Sequence, residues 1–518
     1  MNINYKNAQT IPQKETASTN TLFTNVTDKI AIKYRHKENN FDDYKYEILL
    51  PHRYSMNGPA LAVADVNGDG LDDFYVGGAK GQAGALYLQQ NETTFEPSGQ
   101  NLWENDANYE DIGATFFDAD SDGYMDLYIV SGGNESKAND PNYQDRLYLN
   151  TGKGNFEKTE SALPQISASG SRVKFADYDK DGDMDLFVGG RIVPQSYPNP
   201  AKSYILKNEL TESGQLKFTD ATEAIAPMLT KAGLVTDGTW LDFDGDKDLD
   251  LVIVGEWMPI TFLQNQDGKF VDKTTDYGLE QSTGWWYSIL ANDLNKDGKP
   301  DLIAGNLGLN YKYQASEEAS FDVYANDYDK NGKLDIVLGF YEDGVQYPLR
   351  GRQCSSEQIP TIKYKYKDYN SFADATLEDV YTAQDLKKSY HLQAKNFASS
   401  LIFNKGGAQF NIQNLPNEAQ LSSVNGIIAE DFNGDGYTDL LLAGNLFSSE
   451  VETPRNDASY GHVLLGTKDG TYQALPYTQS GFSLGKDSKN IATLNTKNGR
   501  LILIANNNDL LQFFRLNE

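Results

Sequence analysis

The chain has 518 residues, with 74 acidic against 45 basic side chains and a formal net charge of −29. So much negative charge argues against nucleic acid or anionic membrane surfaces as partners. No run of eighteen apolar residues occurs, so nothing is suited to span a bilayer as a helix, and the single cysteine, Cys354, rules out an internal disulfide framework.

Residues 1–20, rich in Asn, Thr, Gln and Lys, read as a disordered leader. They lack the apolar core of a signal peptide, so we expect a secreted protein already trimmed, or part of a larger chain. Phe23-Thr-Asn-Val-Thr27 is a strand-like stub, and residues 30–57 mix polar and aromatic side chains without an assignable element. A strand at Leu61–Ala64 then opens the first full unit. It is followed by an acidic loop, Asp65–Asp73, a strand from Phe74, a third strand near Ala85 and a turn before Phe95.

That loop recurs from Asp118, Asp177, Asp242, Asp293, Asp327 and Asp431, always as D-x-[DN]-x-[DN]-[GK]-x-x-D. Oxygen-bearing side chains at positions 1, 3 and 5, with a residue able to bend sharply at 6, are how a short turn wraps a hard cation such as calcium. The candidate ligands are Asp65, Asn67, Asp69 and Asp73; Asp118, Asp120, Asp122 and Asp126; Asp177, Asp179, Asp181 and Asp185; and Asp242, Asp244, Asp246 and Asp250. The later loops add Asp293, Asn295, Asp297 and Asp301; Asp327, Asp329, Asn331 and Asp335; and Asp431, Asn433, Asp435 and Asp439. An EF-hand would need a bidentate Glu at position 12 and flanking helices. Position 12 here is Val76, Ile129, Val188, Ile253, Ala304, Leu338 or Leu442, inside a short apolar run that reads as a buried strand. Position 9 must then supply the last carboxylate, and about seven Ca²⁺ ions are expected.

After each loop come a strand, a Gly-bearing turn and a strand opened by an aromatic, as in Arg146–Phe156, Ile260–Phe270 and Ser400–Phe410. Four short strands per repeat of roughly 50–65 residues predict an all-β fold, a β-propeller over residues 21–518. Asp293 and Asp327 stand too close for a complete unit, so the count is eight blades, or seven if those two loops share one. Residues 355–396 form an insertion, with helical apolar spacing over 375–395 at Leu377, Val380, Tyr381 and Leu386. The last unit, from Asn490 to Phe514, has three strands and no acidic loop, so the stub at Phe23 is expected to complete it and close the ring.

Propeller topology puts the acidic loops on one face and the longer connections (131–145, 191–202, 306–320, 445–461) on the other, where binding residues tend to collect. Candidates for ligand contact there are Arg191, Glu256, Trp257, Trp285, Trp286, Asn306, Asn310 and Arg350, a mixture that suits a glycan or protein partner. The alternative is that the tryptophans pack the inner rim. Catalysis finds little support, because the four histidines (His36, His52, His391, His462) are scattered and no G-x-S-x-G or H-E-x-x-H occurs. Cys354 reads as a semi-buried thiol.

On the repeated loops, and on Gly58–Gly70, Gly255-Glu-Trp-Met-Pro259, Gly284-Trp-Trp286, Arg350-Gly-Arg352 and Ser371–Asp379, the chain resembles the FG-GAP/VCBS family of integrin-alpha-like calcium propellers. Within it, the chain is similar to Bacteroidota surface proteins carrying a cartilage-acidic-protein/UnbV-type domain, which is absent here. The resemblance implies an extracellular, outer-membrane-associated propeller found with SusC/SusD-like glycan importers. A polysaccharide-degrading enzyme, lyase-like on a calcium propeller, is the alternative it leaves open. Lys247 at position 6 and Asn331 at position 5 depart from the pattern, which puts the shape of one loop and the strength of another in question.

If calcium pins these loops, its binding energy is part of the folding energy. Thermal melting followed by circular dichroism should then show a lower Tm in EGTA than in calcium; an unchanged Tm would remove calcium from the account.

Overall fold

A computed structural model describes residues 21–517 apart from 408 and 498; the leader expected over 1–20 lies outside the described residues. Among the described residues the chain is all-β with a few short helices, and its strands form eight antiparallel sheets. The first runs Leu61–Ala64, Asp73–Val76, Ala85–Asn91, Thr94–Ser98 in chain order. The same order is kept in the sheets that begin at Asp111–Phe117, Ser169–Ala176, Leu234–Leu241 and Val424–Glu430.

One sheet is divided by an insertion. Ser288–Asn292 and Asp301–Gly305 pair with Ser400–Asn404 and Phe410–Asn414. The chain between them builds a sheet of its own, ordered Val345–Pro348, Asp335–Glu342, Phe321–Asn326, Tyr390–Ala394. The helix expected over 375–395 is instead two short helices, Leu377–Tyr381 and Ala383–Lys388, followed by that last strand. Thr382 makes the break: it lies at φ 62 and its hydroxyl accepts from Asp385 N (3.2 Å), starting a new helix. The apolar spacing marked burial correctly, since Leu377, Val380, Tyr381 and Leu386 pack with Val337 and Phe372.

Seven of the eight sheets are linked through their first strands. Leu61–Ala64 packs on Asp111–Phe117, that strand on Ser169–Ala176, and so on through Leu234–Leu241, Ser288–Asn292, Val424–Glu430 and Ser488–Thr496, which packs on Leu61–Ala64 again. Where these strands converge there is little room. A Cβ on Gly113 would lie 2.5 Å from Ser171 O, and one on Gly426 2.7 Å from Ile491 Cγ2. A cavity of about 60 Å³ among them is lined by Ile112, Arg172, Thr236, Asn425 and Lys489. With sheets stacked on both faces, the second strands are apolar without alternation; Leu251, Val252, Ile253 and Val254 are all fully buried.

Two devices join distant parts of the chain. Phe23–Asn25 pairs antiparallel with Phe514–Leu516, and the Phe23 ring sits between Phe432 and Phe482. An asparagine ending the third strand reaches from one sheet to the loop of the sheet before it: Asn150 Nδ2 donates to Val66 O, Asn208 to Ala119 O, Asn265 to Tyr178 O and Asn404 to Phe243 O, at 2.8–2.9 Å. Asn404→Ala would leave the buried Phe243 carbonyl unpaired and should lower stability by about 1–3 kcal/mol in denaturant melts; a change within error would remove this bond from the account of how sheets are joined.

Candidate metal loops and the loop-rich face

The seven loops share one internal geometry. The amide of position 6 donates to the position 1 carboxylate in every copy, from Gly70 N to Asp65 Oδ2 (2.8 Å) through Gly436 N to Asp431 Oδ2 (2.8 Å). Position 5 accepts from the amide of position 7, as Asp69 does from Leu71 N and Asp435 from Tyr437 N. Positions 4 and 6 have positive φ throughout, so the chain curls around the side-chain oxygens. Lys247 takes this conformation too, at φ 74, and its amide bonds Asp242 Oδ2 at 2.9 Å, so the fourth loop keeps the shape its sequence put in question.

Position 9 has a second role. In the first loop Asp73 Oδ2 accepts from Val66 N (3.1 Å) while Oδ1 accepts from Gln89 N on the third strand (2.7 Å). Third-strand amides reach Asp126, Asp185, Asp250, Asp301 and Asp439 in the same way. Asp301 makes this bond with Asn404, across the whole inserted segment. Asp335 bonds Tyr328 N (2.9 Å), but the next strand of its sheet, Val345–Pro348, pairs only with Gly339–Glu342 and stops short of it. Burial, then the neighbouring loop carboxylates, pushes these acids up: Asp73, Asp126 and Asp250 to about 7, Asp185 to about 8 and Asp335 to about 6, with Asp301 and Asp439 also raised.

Carboxylate oxygens of Asp118, Asp120 and Asp122, of Asp177, Asp179 and Asp185, and of Asp242, Asp244 and Asp246 lie within 4.8 Å of one another and could hold a metal ion. In the third loop, Asp177 Oδ1, Asp179 Oδ1 and Asp185 Oδ2 are shut from solvent without hydrogen-bond partners. Orphaned buried oxygens of one kind fit a hard cation. Lys207 competes at this loop, with Nζ 2.6 Å from Asp179, 3.1 Å from Asp181 and 2.8 Å from Glu212.

On the opposite side, most residues expected to contact a ligand are interior. Arg191 pairs with Glu256 (2.6 Å) beneath His52 Nε2 (2.8 Å) and the Tyr54 hydroxyl, which donates to Glu256 at 2.5 Å. Burial alone would raise Glu256, but Arg191 and His52 against it hold its carboxyl down to about 2. Trp285 and Trp286 are fully buried; Trp257 stacks on Phe321 and donates to the Tyr197 hydroxyl (2.5 Å). Asn306 donates to Asn396 O (3.0 Å), and Arg350 donates to Leu50 O (3.0 Å) and pairs with Glu450. Asn310 is exposed. The inserted sheet explains the difference, because it lies over Trp257 and Trp285 and turns that rim into core. His52, Tyr54 and Tyr197 carried no sequence signal; the third-strand asparagines did, in the repeated apolar-x-Asn strand ends.

Exposed around this core are two open clefts on either side of Arg350. One, of about 550 Å³, is lined by Phe340, Tyr347, Arg352 and Tyr369 among others; the second, of about 580 Å³, by Tyr44, Lys45, Arg53, Glu357 and Val451 among others. The Arg352 guanidinium lies 5.3 Å from the Tyr369 ring centre, and Val451 is 94% exposed.

Acids raised in the folded state stabilise it when protonated and cost stability as pH climbs from the unfolded carboxylate range through their folded values. Metal-free protein should therefore melt at a lower temperature at pH 8 than at pH 5. Saturating calcium, which favours the charged form, should reverse that slope. Parallel slopes with and without the metal would separate the loops from calcium.

A family model described as an FG-GAP-like repeat matches residues 35–129, 130–188 and 242–304. No curated protein matches the chain. Among solved structures it is similar to the biofilm matrix protein Bap1 of V. cholerae (12% identity, 96% of this chain and 91% of that one, TM-score 0.37). It is also similar to BBS1N in its complex with ARL6DN (7% identity, 90% and 94%, TM-score 0.39) and to a thermostable family-43 glycoside hydrolase (11% identity, 57% and 93%, TM-score 0.26). The loops beginning at Asp65, Asp118, Asp177, Asp242 and Asp293 fall inside the matched stretches, so the chain carries FG-GAP-like repeats in three places.

Proposed function

We propose that the protein is a calcium-stabilised, seven-bladed β-propeller of the cell exterior. It has no catalytic activity and binds a glycan or protein partner on the face opposite its metal loops. Seven blades, rather than eight, are supported by the contacts of the first strands and by the Asn404 bond to Phe243 O, made by a strand that follows the inserted segment. The strand Phe23–Asn25 then closes the ring as the outer strand of the last blade. Carboxylates at positions 1, 3, 5 and 9 would hold calcium, which when bound neutralises charge that the sheets otherwise bury at a cost.

The observation that carries a binding role is the pair of clefts beside Arg350, walled by aromatic and charged side chains and set on a braced scaffold. Tyr369 and Tyr347 offer flat apolar faces, while Arg352 and Asp374 offer charged hydrogen-bonding groups, a combination that suits a sugar or a polar peptide. Absence of catalysis is supported by the histidines. Among the described residues, no histidine bonds a Ser, Thr or Cys side chain: His52 faces Glu256, His391 faces Asp322 (2.5 Å), and burial drives His36 down to about 3 and His462 to about 4. Burial and Glu452 push the Cys354 thiol up to about 12, away from nucleophile behaviour. Among the described residues no helix is long and apolar enough to cross a membrane; the partner we propose is an outer-membrane complex of the SusC/SusD kind that the resemblance implies.

A glycan array and a pull-down from native membranes test this reading together. We expect retention of a glycan or a surface protein, weakened about tenfold or more by Tyr369→Ala. Bond cleavage in an incubated polysaccharide, or retention indifferent to changes in both clefts, would overturn it.

A further inference from the structure

Three glutamates from separate segments meet away from the repeated loops. Glu38 belongs to the N-terminal segment, Glu110 directly precedes the strand Asp111–Phe117, and Glu135 follows the strand Asp126–Ser131. One carboxylate oxygen of each lies within 4.8 Å of the others. The Glu38 side chain is 2% exposed and Glu110 is 3% exposed.

Each carboxylate is held from outside by one oxygen. Asn507 Nδ2 donates to Glu38 Oε1 (2.5 Å), Lys80 N to Glu110 Oε2 (2.8 Å) and Asn134 N to Glu135 Oε2 (2.8 Å). The second oxygens, Glu38 Oε2, Glu110 Oε1 and Glu135 Oε1, are closed to solvent and have no partner. Those are the atoms left to the cluster. Gly133 leaves room for it, since a side chain there would strike Glu135 Oε2 and the Glu110 stem.

Among the described residues no lysine or arginine forms an ion pair with the three. Lys80 Nζ donates to Ser136 (2.9 Å), and Lys489 Nζ pairs with Asp487 (2.8 Å). His36 Nδ1 stands 3.9 Å from Glu38 Oε1, but it accepts a hydrogen bond from Asn508 N (3.2 Å) and so carries no proton on that nitrogen. Buried, unpaired carboxylate oxygens in such a group call for a cation.

We propose that Glu38, Glu110 and Glu135 form a divalent-cation site, distinct from the repeated loops, that takes Ca²⁺. An all-oxygen donor set selects a hard ion, and calcium–oxygen distances of about 2.3–2.6 Å span a triangle of this size. The ion clips the segment around residues 30–57, whose isolated bridges run to Leu510 and Ser449 instead, onto the first two sheets.

Equilibrium dialysis of the full chain against Ca²⁺ tests the site. Glu110→Gln, with its melting checked, should bind about one calcium fewer per chain than the natural sequence, while Asp118→Asn in the second loop should lose calcium from the loops alone. Failure of the loop reading and failure of this site are thereby read apart. A folded Glu110→Gln variant with the full calcium complement would overturn the proposal. Should that variant not fold, Mn²⁺ soaked into crystals of the natural protein decides: anomalous density between the three glutamates supports the site, and its absence there refutes it.

Discussion

A buried aspartate that ends each acidic loop is the constraint on which the architecture turns. In six of the loops, all but that ending at Asp185, one of its oxygens holds the start of the loop, and in six sheets the other holds the amide of the third strand. The loop is thus a fastening between strands as well as a bend. A carboxylate placed so deep is costly unless it gains a proton or a counter-ion. The charge of the chain and the order of its sheets are therefore one problem, solved at the same atoms.

The loops were legible because each of their demands is local: an oxygen every second residue, a tight curl, then an apolar strand. Even Lys247, which breaks the consensus, adopts the curl because its neighbours in the loop dictate it. The second task of position 9 was not legible, since its partner lies 15 residues away for Asp250 and 103 for Asp301. The tryptophans could be read as surface or as core from the same letters. What decided between them was a sheet whose strands come from both ends of the insertion, a juxtaposition no local pattern announces. Residues 30–57 stayed opaque for a related reason: they hold their place through contacts such as His52 with Ser449 and Arg53 N with Ser448 O, made with residues far along the chain.

The inserted sheet also changes what the loop-rich face is. Phe321, Trp257, Trp285, Tyr313 and Leu50 pack into one core, so the N-terminal segment, the fourth sheet and the insertion brace one another. Asn456 Nδ2 donating to Leu307 O and Tyr311 donating to Ser449 Oγ sew the longer connections together. Loops restrained in this way present their exposed side chains without paying much ordering entropy on contact.

The divided sheet has a consequence for how the protein is made. Asp301–Gly305 cannot find its neighbour Ser400–Asn404 until nearly a hundred further residues have left the ribosome, and the segment between them can meanwhile assemble a sheet from its own strands. Loop-closure entropy falls only logarithmically with length, but non-local pairing slows assembly markedly. Completion waits longest at the termini, where Phe23 must be kept free of other partners throughout synthesis until Leu516 arrives. Nascent chains of this protein would therefore carry an open strand edge for most of translation, a consequence of its topology rather than of its composition.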